Sequence, residues 1–170
     1  GDSGIQSNDL TYDVTTPNAP TASDMEKAIM DAVSKMMAFK DDQGEPMNEN
    51  AKSFLVMVPT PFMYAAAAAL KNPVIVDGSG ARTNLITNIG GFNFGLAVNP
   101  RLPWTDKFVL FRTDSETKPL IRQEEEGVTV SAIAEGSELE FKHNKHEYGV
   151  KAIRNVGFGY WQRAVLTTFN

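Results

Sequence analysis

The sequence predicts an α+β fold. Three observations carry that prediction. An apolar stripe with helical spacing follows the capping sequence Ser23-Asp24-Met25-Glu26. A short apolar run over 54–58 ends at Pro59 and leads into an alanine-rich segment. Beyond residue 90 the apolar segments are short, rich in β-formers and broken by Gly and Pro, the pattern of short strands. With 170 residues, 42% of them hydrophobic, the chain is long enough to bury one core.

The first helix is expected over 23–40. Met25, Ile29, Ala32, Val33, Met36 and Met37 recur at three- and four-residue steps and form one apolar face. Ser23 is read as its N-cap, with Glu26 reaching back. Asp41-Asp42-Gln43-Gly44 and Pro46 end it. Before it, residues 1–20 are polar and are expected to be extended or loosely held. Phe54-Leu55-Val56-Met57-Val58 reads as a strand buried on both faces. Thr60-Pro61 starts a helix that five alanines, Ala65 to Ala69, carry to Leu70.

Val74-Ile75-Val76 suits a strand or a packing segment, and Asp77-Gly78-Ser79-Gly80 a flexible loop. Phe94 to Val98 and Lys107 to Arg112 read as strands, with a turn through Asp114 to Thr117. Pro119 to Gln123 reads as a further short strand. Over 147–164, β-formers mix with Gly157 and Gly159, which again favours strands. After the first half of the chain the strands are expected to be short and mostly antiparallel.

Composition excludes several classes. No window of 18 apolar residues exists, so no helix reads as membrane-spanning. No basic and then apolar leader opens the chain, and its first residue is Gly, which suggests a cleaved or trimmed product. Cysteine is absent, which removes disulfides, thiolate catalysis, iron–sulfur clusters and Cys-based zinc sites. The net charge of −5 offers no global basic footprint for nucleic acid. The charge is uneven: residues 1–50 carry 10 acids and 3 bases, residues 51–170 carry 11 and 13. Such asymmetry hints at docking between surfaces of opposite sign.

No motif commits the chain to catalysis, a cofactor or a metal. Gly1-Asp2-Ser3-Gly4 has the letters around a serine nucleophile but none of the preceding machinery. His143 and His146, with Glu140 or Glu147, have the spacing of a metal site if helical; the flanking Lys142 and Lys145 favour a solvated loop instead. Asp77 to Gly80 lacks the Lys of a phosphate loop, and Asp41 to Gly44 lacks the further ligands of a calcium loop. Glu124-Glu125-Glu126 is most simply a solvated charge run. Gly157-Phe158-Gly159-Tyr160-Trp161-Gln162 is the most unusual window. Alternation places Phe158 and Tyr160 on one strand face and Trp161 on the other, as core or, with Lys151, Arg154 and Arg163 nearby, as a stacking platform for nucleic acid.

Lys118-Pro119-Leu120-Ile121-Arg122-Gln123, the acidic run, His146 to Asn155 and the aromatic window follow one another in an order that resembles the Mu-like prophage major head subunit family. Lys40 to Pro46 and the run ending Val58-Pro59 resemble the same family's helix, turn and strand. The resemblance covers roughly residues 20–165. It implies a major capsid protein of a tailed phage or prophage, with the Hong Kong 97 type fold: a peripheral domain with a spine helix and an axial domain around a central sheet. On that reading residues 1–50 hold an N-terminal remnant and the spine helix, 51–140 the axial domain, and 141–170 the return to the peripheral domain. The N-terminal arm and extended loop of such subunits are expected to be missing before Ser23, making this chain a truncated or cleaved core.

The implied function is structural and non-enzymatic, with no catalytic, cofactor or metal residues. Implied partners are other copies in capsomers and shell, a scaffold or other head proteins, and packaged DNA bound non-specifically; no membrane is implied. The implied location is the virion, with host cytoplasm during assembly. Two other readings stand beside it. One is a nucleic-acid-binding module built on Phe158, Tyr160, Trp161, Lys151 and Arg154. The other is a small hydrolase with a dispersed site.

Overall fold

The computed structural model describes residues 6–133 and 146–170. The chain divides into two compact units: residues 1–119 with 160–170, and Leu120–Gly159.

The first unit is built on a five-stranded mixed sheet. Its strands are β1 (Asp9–Tyr12), β2 (Ser53–Val58), β5 (Asn93–Val98), β6 (Lys107–Arg112) and β9 (Ala164–Phe169). The order across the sheet is β1-β9-β6-β2-β5. β6 pairs antiparallel with β2 and β9, whereas β1 runs parallel to β9 and β5 parallel to β2. Two of the sheet's four pairings are therefore parallel; β6 and β9, both in the second half of the chain, pair antiparallel as expected. The link from β2 to β5 passes through α2 (Met63–Lys71) and a small hairpin, the crossover length that a parallel pair requires.

Helix α1 (Ala22–Met37) and α2 supply the second layer. Met25, Ala28, Ile29, Ala32, Val33 and Met36 are buried, so the helical stripe read from the sequence is the face that packs. Its cap is different from the one expected. Thr21, not Ser23, is the N-cap: its Oγ1 accepts from Asp24 N at 3.1 Å, and the Asp24 carboxylate accepts from Thr21 N at 3.0 Å. The helix ends at Met37, three residues before the expected boundary.

Sheet and helices meet in an aromatic core. Phe169 lies 5.6 Å from both Phe62 and Phe108, ring centre to ring centre, and 6.2 Å from Tyr12. In β2, Phe54, Val56 and Val58 are buried and Ser53, Leu55 and Met57 only half-buried. The strand is therefore not buried on both faces, because the helices cover one side of the sheet. Residues 6–14 are not loose either. β1 adds to β9, and the Gln6 side chain brackets the Lys40 backbone with two 3.0 Å hydrogen bonds.

The connection after α2 contains β3 (Val74–Asp77), β4 (Gly80–Thr83) and the single-turn α3 (Leu85–Asn88). Asp77 to Gly80 is the tight turn of the β3–β4 hairpin rather than a free loop. Gly80 adopts φ +116°, a conformation that side-chain-bearing residues rarely take.

The second unit is a two-stranded antiparallel ribbon of β7 (Leu120–Ile133) and β8 (Glu147–Phe158). The short strand expected over Pro119 to Gln123 thus runs on through the acidic triplet. Register shifts between Glu124 and Glu126 and between Glu126 and Thr129 absorb the mismatch.

Candidate functional site

Two polar clusters are buried in the first unit. In one, Glu26 is 1% exposed on α1. The Arg82 guanidinium, reaching from β4, forms a bidentate pair with it: Nη1 donates to Oε1 at 3.1 Å and Nη2 to Oε2. Arg82 also donates to Asp77 at 3.0 Å and to the Ser23 hydroxyl at 3.0 Å. Leu85 N donates to Glu26 Oε1 at 2.7 Å. The hydrogen bonds from Ser79 N and Arg82 hold the Asp77 carboxyl below its ordinary value. Ser23 and Glu26, expected as a capping pair, are instead the points where the β3–β4 hairpin is fastened to α1.

The second cluster surrounds Asn48, which is fully buried. Its Nδ2 donates to Met36 O at 2.7 Å and Gln162 O at 2.9 Å. Its Oδ1 accepts from Arg112 at 3.2 Å and from Arg163. Every donor and acceptor of the amide is thus used. Arg112 also donates to Asp114 at 2.6 Å, and Lys52 N donates to the other carboxylate oxygen at 2.8 Å. Burial raises the Asp114 carboxyl, but these two hydrogen bonds outweigh it and leave the group below its ordinary value. Burial, then the nearby Arg112 charge, lower the Arg163 guanidinium. A polar cleft of about 360 Å³ opens beside this cluster, with Glu49 and Glu116 on its lining. Both clusters join distant segments and saturate their own polar atoms, which is a structural task.

The residues that the sequence offered as sites are dispersed. Gly1-Asp2-Ser3-Gly4, Glu140 and His143 lie outside the described residues. His146 precedes β8 and is exposed, and Glu147 opens the strand. Among the described residues no group of three His, Asp or Glu is placed to hold a metal. Asp41 closes a turn, its Oδ1 accepting from Gln43 N and Glu45 N. Glu124 and Glu126 pair with Arg122 and Lys151 on the ribbon.

The aromatic window does not form one strand face. β8 ends at Phe158, and Trp161 to Arg163 form a 3₁₀ turn. Trp161 packs edge-on against Phe39 at 5.2 Å, and Arg163 is spent on Asn48, Met47 O and Thr117. The stacking platform of the nucleic-acid reading is therefore not assembled by this window.

What the sequence reading missed is the length and character of the ribbon. Val128, Val130, Tyr148, Val150, Val156 and Phe158 are all exposed, Phe158 at 93%. The signal was present in Val128-Thr129-Val130-Ser131-Ala132, which alternates with period two. The acidic triplet before it marked a break that the bulges bridge.

No curated protein matches the chain. Residues 96–168 match the family model of the Mu-like prophage major head subunit gpT. That stretch contains the second half of β5 and all of β6, the ribbon, and all but the last residue of β9. Among solved structures, the chain is similar to the mature capsid of bacteriophage PhiM1, with TM-score 0.54 and 11% identity, over 95% of this chain and 51% of that one. It is also similar to a chain from Mycobacterium phage Che8, with TM-score 0.51 and 14% identity, over 94% of this chain and 54% of that one. The chain thus spans about half the length of the phage chains it matches. Over residues 96–168 the chain matches the family model of the Mu-like prophage major head subunit gpT, on a fold that it shares with phage chains including the mature capsid of PhiM1.

Proposed function

We propose that this chain is part of a structural, non-enzymatic head subunit that assembles with copies of itself into the icosahedral shell of a tailed phage or prophage. The observation that carries the reading is the family match over 96–168, because it falls on two inner strands of the sheet, β6 and β9, and on the whole ribbon rather than on one local motif. The similarity to two phage chains over more than nine-tenths of this chain supports it at the level of fold.

The Hong Kong 97 type fold is the finer form of this proposal. The arm and extended loop would then belong to the part of a full subunit that the matched stretch does not include. The division into an N-terminal peripheral part over 1–50, an axial domain over 51–140 and a peripheral return over 141–170 is also a proposal. The burial of α1 on the same core as β2, β6 and β9 favours grouping α1 with the central sheet. A scaffold or other head proteins, loosely held DNA, and residence in the virion after assembly in the host cytoplasm belong to the same reading.

The test compares this chain with a longer one carrying the rest of a head subunit, by light scattering and negative-stain microscopy. Closed particles of uniform size are expected from the longer chain, expressed with its scaffold. Failure to assemble under those conditions would overturn the shell reading.

A further inference from the structure

In the Asn48 cluster the acceptors are taken, but donors and charge are in surplus. Arg112 and Arg163 both donate through Nη1 to Asn48 Oδ1, so the two guanidiniums are neighbours. The Nη2 of each has no acceptor among the described residues, and neither is shut away from solvent. Both residues line the polar cleft of about 360 Å³. Ser115 and Thr117 line it too, with one 3.2 Å hydrogen bond between their hydroxyls. Thr117 Oγ1 also accepts from Arg163 Nε. Two hydroxyls that share one hydrogen bond keep one proton for a further acceptor.

The charge balance points the same way. Arg112 is paired with Asp114, whose second oxygen accepts from Lys52 N. Arg163 is half-buried and donates only to neutral oxygens, those of Thr117, Met47 and Asn48. It has no ion pair among the described residues. Burial and the Arg112 charge both work against its protonated form. One positive charge is therefore left over beside the cleft. Glu49 and Glu116 also line the cleft, are exposed, and ion-pair with neither guanidinium. The complement is one carboxylate, with two acceptor oxygens and a single charge. A doubly charged phosphate would set its second charge against Glu49 and Glu116.

We propose that the cleft beside Asn48 binds one carboxylate, held by Arg112 and Arg163 together with a hydroxyl of Ser115 or Thr117. This goes beyond the shell reading and stands without it. The carboxylate belongs either to a free organic acid or to an Asp or Glu side chain of a neighbouring copy, and the two sources present the same chemistry to the cleft.

Acetate is the probe. Titrated into the full chain at constant ionic strength, it should shift the NMR signals of the Arg112 and Arg163 Nε–H groups and saturate in the millimolar range. Chloride should give no saturable shift, and inorganic phosphate should bind more weakly than acetate. Arg163→Gln should abolish the response at Arg112. Glu49→Gln combined with Glu116→Gln leaves the hydrogen bonds of Asn48 intact and should tighten acetate about threefold. No saturable shift in the unaltered chain, a response shared with chloride, phosphate tighter than acetate, or an affinity indifferent to the two glutamate substitutions would overturn the proposal. The longer, assembling chain separates the sources. If a neighbouring copy supplies the carboxylate, saturating acetate slows particle formation relative to chloride. If the acid is free, assembly is indifferent to acetate while the NMR response stands. A chain that binds acetate but never forms particles would sink the shell reading and leave the carboxylate site standing.

Discussion

Arg82 neutralises a carboxylate that the fold has almost wholly removed from water. Glu26 is 1% exposed on its side chain, Arg82 30%. Breaking a buried pair from one side typically costs 3–5 kcal/mol, because the remaining charge is left unpaired. Arg82 is partly solvated, so Arg82→Met should cost about 3 kcal/mol in urea denaturation. Adding Glu26→Gln should recover part of that loss; a double variant no more stable than Arg82→Met would show that the buried charge is not the cause. Asp114 adds a pH dependence. Its folded pKa lies below its unfolded value of about 3.9. Its contribution is therefore complete above that value and lost as pH falls through the folded one. Asp114→Asn should flatten the acid limb of the stability profile below about pH 4, and an unchanged limb would assign it to other carboxylates.

At the level of elements, α1 starts where two threonine–aspartate hydrogen bonds can close. Thr21→Ala should lower stability by ~1 kcal/mol and Thr21→Gly by only a few tenths. If both are silent, the capping box does not contribute in solution. Ser23 lies inside the first turn, so its substitution should act through the lost contact with Arg82 and not through capping. The ribbon and the sheet should differ sharply in hydrogen exchange. β6 and β9 are internal strands over an aromatic core, whereas β7 and β8 have only each other. Amides of β6 and β9 should exchange at rates near global unfolding, and those of β7 and β8 much faster. Equal protection in an unassembled chain would mean that the ribbon is already covered.

At the scale of the whole molecule, the first and last strands, β1 and β9, lie side by side in one sheet. β9 lies between β1 and β6, and Phe169 is the centre of the aromatic cluster. Deleting residues 164–170 removes an internal strand and should abolish cooperative unfolding. Phe169→Ala alone should cost about 3–5 kcal/mol. Deleting residues 1–13 removes an edge strand and should leave a folded, weakened protein. A sharp thermal transition in the C-terminal deletion would contradict the placement of β9.

The sequence by itself determined the α+β class, the apolar face of α1, the helical start at Thr60-Pro61 (a 3₁₀ turn over Thr60–Phe62 that runs into α2) and the strands β2, β5 and β6. These rest on periodicity, proline and alanine, whose effects are local. The order of the head-subunit resemblance was legible for the same reason. Only the tertiary structure decided that Thr21 caps α1. Ser23 and Glu26 form an equally good capping sequence, but burial commits both to Arg82, 59 and 56 residues away. It also decided that β2 has one fully buried face and that β1 runs parallel to β9. The continuity of β7 through three glutamates was hidden too, since a bulged ribbon tolerates a charge run that a regular buried strand would not. In each case the deciding partner is remote in sequence, and local patterning carries no record of it.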